Sequence, residues 1–145
     1  MPLNRDRIAA LIPHADAMCL LDEIVSWDAQ SIRARSTTHR AADNPLRSGG
    51  ELPVWSGIEY AAQAMAAHGA LCGIVSARPR MGYLVSLRNV IAHATTLDAF
   101  EGDLSVTAQH VNSDAALAVY AFSVRVGERD LLTGTATVLL QVDEA

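Results

Sequence analysis

The chain has 145 residues, half of them hydrophobic and 19% charged, with a net charge of −5. That length suits one domain with a sizeable core, and the composition is too apolar for a disordered chain. The acidic balance argues against a nucleic-acid binder, which would carry a basic excess. No apolar run approaches the ~20 residues that a membrane span needs.

All eleven basic residues are arginines, so Schiff-base and lysine-nucleophile chemistry are excluded. Cys19 and Cys72 sit in apolar stretches and read as small buried hydrophobes, neither a metal site nor a disulfide framework. The first residues, MPLNRDRIAALIPH, lack the apolar h-region of a signal peptide, so a cytoplasmic location is expected.

In chain order, a short helix is expected around Asn4–Leu11. Strands follow at Met18–Trp27 and Ser31–Thr38, joined by a hairpin connection at Asp28–Gln30. In the second strand Ile32, Ala34 and Ser36 alternate with Arg33, Arg35 and Thr37, the period-two pattern of a half-buried strand. Residues 39–53, with Pro45, Gly49, Gly50 and Pro53, form a long polar loop, and long ordered loops are often functional.

From Trp55 to about Val75 the spacing predicts a helix that is apolar nearly all round and therefore buried on most sides. Pro79 in Ala77–Arg80 stops it. Four strands follow, at Gly82–Ala94, Gly102–Asn112, Ala115–Val126 and Asp130–Val142, joined mostly by short turns as in an antiparallel sheet. One helix among so many strands can be covered only if the sheet curls around it. The expectation is a single α+β domain over residues 1–145.

This order resembles the hotdog fold, a curled antiparallel sheet around one central apolar helix. Ile12-Pro13-His14 with Met18–Val25 (MCLLDEIV) is similar to the opening of the 3-hydroxyacyl-acyl-carrier-protein dehydratases. Glu59–Ala64 (EYAAQA) is similar to the acidic segment on that family's central helix, and Asp98–Val106 (DAFEGDLSV) to the lead-in to a later strand. The segment Leu52-Pro53-Val54-Trp55, with Glu59 and Gln63 beyond it, resembles a divergent subgroup associated with aryl-polyene and xanthomonadin pigment clusters.

The resemblance implies 3-hydroxyacyl thioester substrates in fatty-acid or polyene-type biosynthesis. They would be carried on the phosphopantetheine arm of an acyl carrier protein. It implies no metal or soluble cofactor. It also implies at least a dimer, as homodimer, higher oligomer or hetero-oligomer with another hotdog protein. The pattern departs from the family in one respect. The family carries a catalytic histidine in the loop before the helix; aligning Pro53–Gly57 on the family's motif puts Ser48 there, and an ungapped count from Glu59 reaches Pro45.

Glu59 is the first candidate catalytic residue. With Ser56 it also reads as a capping box, Ser56 at the N-cap and Glu59 reaching back to the Ser56 amide. Burial favours the neutral acid that could protonate a departing hydroxyl, whereas the helix start favours the carboxylate. Gln63, one turn on, shares a face with Glu59 and could hold it or bind a substrate oxygen. Gly57 is a candidate close-approach point whose backbone amide could polarise a thioester carbonyl. Trp55 completes the substrate-binding set.

His39 is the best substitute for the missing base, set against an exposed loop histidine with no role. His14, His68, His93 and His110 read as ordering, buried or strand residues, and no pair has zinc-ligand spacing. Arg78 and Arg80, followed by Arg88, could form a basic patch for an acidic carrier protein. A hotdog thioesterase, or a non-catalytic hotdog subunit supporting a catalytic partner, are the other readings.

Overall fold

The computed structural model describes residues 2–12, 19–72, 83–113 and 117–139. Strand β1 (Leu3–Asn4) runs into helix α1 (Arg5–Leu11), whose N-cap Asn4 side chain accepts from the Arg7 amide at 3.1 Å. Strands β2 (Glu23–Trp27) and β3 (Ser31–Ser36) form a hairpin. Its turn is held by Asp28 Oδ1, which accepts from the Gln30 and Ser31 amides at 2.8 Å each.

A 3-10 turn at Thr38–Arg40 and another at Val54–Ser56 lead to helix α2 (Gly57–Leu71). Strands β4 (Tyr83–Ala92), β5 (Leu104–Ser113), β6 (Leu117–Val126) and β7 (Arg129–Leu139) complete one seven-stranded sheet. Its order is β1-β2-β3-β5-β6-β7-β4, and all its pairings are antiparallel. The sheet curls around α2, which places the core between the two.

Alternation along the strands sets the inner face. Ile32 and Ala34 on β3, Leu104, Val106 and Ala108 on β5, and Tyr120, Phe122 and Val124 on β6 are buried. They meet Tyr60, Ala61, Ala64, Met65 and Ala67 of α2. The alanines keep the helix slim enough for the sheet to close on it; buried residues cover most of its circumference, and Glu59, Ala62, Ala66 and Ala70 form a half-buried stripe on the remaining side.

The expected strand from Met18 forms only from Glu23; Met18 lies outside the described residues. Cys19–Leu21 find other partners. The Leu20 amide donates to Gln63 Oε1 at 2.8 Å, and the Leu20 carbonyl accepts from Ser36 Oγ (2.6 Å) and Thr38 Oγ1 (2.8 Å). Side chains satisfy this backbone, so no strand partner is needed.

The expected capping box does not form. Ser56 is itself helical (φ −61°, ψ −21°), makes no side-chain cap bond, and gives its amide to the Pro53 carbonyl at 3.0 Å. A 3-10 turn supplies the helix start that the Ser56 hydroxyl was expected to supply.

Candidate active site at the start of the central helix

Glu59 lies in the first turn of α2 and is half-buried. Two backbone pairings fix where that turn sits. The Val54 amide donates to the Thr95 carbonyl at 3.0 Å, and the Leu97 amide to the Leu52 carbonyl at 2.9 Å. The segment before α2 is thereby bound to the connection after β4. Trp55 is 54% exposed beside this pairing.

Gly57 fits the close-approach expectation in its packing. A Cβ there would meet Leu132 Cδ2 at 2.9 Å and Val124 Cγ2 at 3.3 Å. Its amide is a correction to the sequence reading. The N–H points back at the Val54 and Trp55 carbonyls, closing the 3-10 turn instead of facing an open site.

Gln63 is fully buried and its Oε1 holds the Leu20 amide. That contact makes it a tie between α2 and the lead-in to β2. Tyr60, which the sequence reading passed over, does similar work: its hydroxyl meets Thr38 Oγ1 at 2.8 Å and Asn44 Nδ2 at 3.0 Å. Burial raises the Tyr60 hydroxyl above its ordinary pKa.

The loop from Ala41 to Leu52 is built around Arg47. Its Nε donates to the Ala41 carbonyl (2.7 Å), Nη1 to Asp98 (2.8 Å) and the Gly50 carbonyl (3.1 Å), and Nη2 to the His39 carbonyl (3.2 Å). Asp98 also accepts from the Leu52 amide at 3.2 Å. Burial pushes the Asp98 carboxyl up, but Arg47 and the Leu52 amide outweigh it and hold it below its ordinary pKa. The sequence reading did not single out Arg47. Nothing local signals the pair, because 51 residues separate its members.

Ser48 to Glu51 form a tight hairpin, with hydrogen bonds of 2.8 and 3.1 Å between Ser48 and Glu51. The two central residues both have positive φ, Gly49 at +59° and Gly50 at +81°, the signature of a type I′ turn. Ser48, aligned with the family's histidine, is exposed on this turn.

His39 is not the exposed loop residue considered from the sequence. It is fully buried, with Nε2 3.0 Å from the Gly102 carbonyl. That contact sets Nε2 as the N–H and leaves Nδ1 unprotonated, buried and without a partner. Burial lowers the pKa of His39, and the Gly102 bond only partly offsets this. Its lone pair has the right form for a base, but the ring is sealed from solvent.

The other described histidines lie elsewhere. His68 is buried between the Tyr120 hydroxyl and the Asp28 carbonyl, each at 2.8 Å, and the His110 ring lies 6.5 Å from its own. Nine residues separate His68 from Glu59, about 13 Å along the helix axis. His93 bonds Thr133, whose neighbour Leu132 faces α2, so His93 sits on the outer face of the sheet. His14, Arg78 and Arg80 lie outside the described residues. Among the described residues no group of three or more His, Cys, Asp or Glu side chains is placed to hold a metal ion.

The curled seven-stranded sheet around one long helix defines a hotdog-fold protein. The chain belongs to the ApeP-like family, described as ApeP dehydratase, whose family model matches residues 6–145. No curated protein matches it.

Among solved structures, it is similar to the dehydratase heterocomplex ApeI:P from Xenorhabdus doucetiae. That match has a TM-score of 0.81 and 19% identity, covering 92% of this chain and 90% of the other. Zebra fish thioesterase superfamily member 2 matches with a TM-score of 0.65 and 15% identity, over 94% and 95% of the two chains. A hypothetical thioesterase from Streptococcus pneumoniae, solved with coenzyme A, matches with a TM-score of 0.60 and 12% identity, over 84% and 87%.

Proposed function

We propose that this chain is an acid-bearing subunit of a dehydratase acting on 3-hydroxyacyl thioesters of acyl carrier protein, in fatty-acid or polyene-type biosynthesis of the pigment-cluster kind. The observation that carries this reading is Glu59, a partly accessible carboxyl in the first turn of a largely buried helix, at the head of its half-buried stripe of Ala62, Ala66 and Ala70. Membership of a dehydratase family supports it.

In this reaction a base takes the C2 proton and the C2–C3 double bond forms. The C3–oxygen bond breaks, and Glu59 gives its proton to the departing hydroxyl, which leaves as water. Trp55, exposed in the turn that leads into α2, would flank the acyl or pantetheine chain. Arg78 and Arg80 remain candidate contacts for the acidic carrier.

The base is the part that this chain supplies least well. His39 has the right tautomer but is enclosed, and the usual histidine position is a glycine turn. A second hotdog subunit would supply an accessible base, in line with the heterocomplex that a structural neighbour forms. A homodimer would have to open the His39 loop.

The test uses purified protein with 3-hydroxyacyl carrier protein, alone and with a candidate hotdog partner. A trans-2-enoyl thioester that disappears in Glu59→Gln, with partner binding intact, is expected. Unchanged dehydration by Glu59→Gln in the complex overturns the assignment and leaves a supporting subunit. Release of a free thiol would instead show a thioesterase, which can use a helix carboxylate without histidine.

A further inference from the structure

At the other end of α2 lies a groove of about 560 Å3, lined by Leu3, Arg7, Ala10, Leu11, Trp27 and Leu71. Its volume falls within the range of about 300–1,000 Å3 typical of small-molecule sites. Twelve residues of helix separate Leu71 from Glu59, about 18 Å along the axis, so the groove is not part of the thioester site.

Two features give the groove a polarity. Arg7, Ala10 and Leu11 fall on one face of α1, at i, i+3 and i+4, and present one cation beside an apolar strip. Trp27 and the partly buried Leu3, Leu11 and Leu71 continue the apolar surface, and Trp27 keeps 39% of its area in solvent. Arg7 is exposed and has no ion-pair partner among the described residues, whereas its neighbour Arg5 is bound to Asp22 at 3.1 Å. In a chain of net charge −5, an exposed guanidinium at the rim of an apolar trough is an attachment point for an anionic head with an apolar tail.

We propose that this groove binds a medium-chain fatty carboxylate, the carboxylate on Arg7 and the alkyl chain along Leu11, Trp27 and Leu71. Arg7 sets the sign of the head group and the apolar floor sets the chain length. The site is independent of the dehydratase assignment.

Trp27 is a built-in reporter. In a Trp55→Phe background it is the one tryptophan left. Decanoate, titrated below its micelle concentration at pH 8, is expected to shift Trp27 emission saturably. Octanoate should bind about fifteenfold more weakly, since it lacks two methylenes and each buried one is worth roughly fourfold. Arg7→Gln should weaken decanoate at least about fivefold and leave decanol unchanged; Glu59→Gln should change neither. No saturable Trp27 response, equal decanoate affinity with and without Arg7, or decyltrimethylammonium binding as tightly as decanoate would each overturn the proposal.

Discussion

Replacing Arg47 with methionine is the sharpest test of how the loop before α2 is held. Methionine keeps most of the apolar stem and removes all four donations, to the Ala41, His39 and Gly50 carbonyls and to Asp98. The pair is largely enclosed, with side-chain exposures of 16% for Arg47 and 18% for Asp98. Breaking a fully buried pair by removing one partner costs about 3–5 kcal/mol, and residual contact with water lowers that. The expected loss is about 3 kcal/mol, or about 10 °C in Tm for a domain of this size.

The assay is thermal unfolding followed by circular dichroism, run as a double-mutant cycle with Asp98→Asn, which keeps an acceptor for the Leu52 amide. A coupling of at least about 1 kcal/mol is expected. The pH dependence gives a second reading. Asp98 is held below its ordinary pKa, so its contribution is complete above the unfolded value of about 3.9 and is lost as pH falls through the folded one. Arg47→Met should therefore reduce the acid destabilisation below about pH 4. A Tm change under about 2 °C with additive single effects would show an ordinary surface pair and refute the clamp.

Gln63→Leu leaves the buried Leu20 amide without its acceptor and should cost about 1–3 kcal/mol. Faster hydrogen exchange at Leu20 in that variant is the check. Burial lowers the pKa of both His39 and His68, so below about pH 6.5 the unfolded chain binds more protons than the folded one and stability falls. His68→Gln and His39→Gln should each flatten Tm against pH between 7.5 and 5.5. Gly50→Val forces a β-branched side chain into φ +81° and should destabilise by about 1–3 kcal/mol, with no steric contact to account for it. A neutral Gly50→Val would remove the type I′ assignment.

What the sequence disclosed was what short-range pattern controls. Period-two alternation placed β3, and a turn residue with local acceptors placed the Asp28 hairpin. The apolar periodicity around Ala61, Ala64 and Met65 placed α2. The failures share a cause. Ser56 looked like an N-cap because it stands three residues before Glu59, but the Leu52–Val54 pairing with Thr95–Leu97 draws the chain into a 3-10 turn before that cap can form. Cys19–Leu21 looked like strand, yet Gln63, 43 residues away from Leu20, satisfies its backbone. His39 looked exposed because its neighbours are polar, whereas Gly102, 63 residues on, closes over its ring. Each error lies where a distant partner outweighs local propensity.

The same geometry bears on where the proposed dehydratase would find its base. The acid sits at the first turn of α2, while His68 and His110 gather toward its other end, beyond the reach of any direct proton transfer to a substrate beside Glu59. His93 faces outward, and His39 would have to leave the Gly102 carbonyl and break the enclosure around its ring. Meanwhile β4 pairs only with β7 among the described residues, and it exposes Leu84, Leu87 and Ile91, the last at 53%. A ten-residue edge with so much apolar surface invites a second strand. Since the connection after β4 is also the element that binds the segment before α2, a subunit docked along that edge would lie next to the connection that holds the start of the helix. Under the proposed function, the open strand and the enclosed His39 would be answered together, by a partner seated along β4.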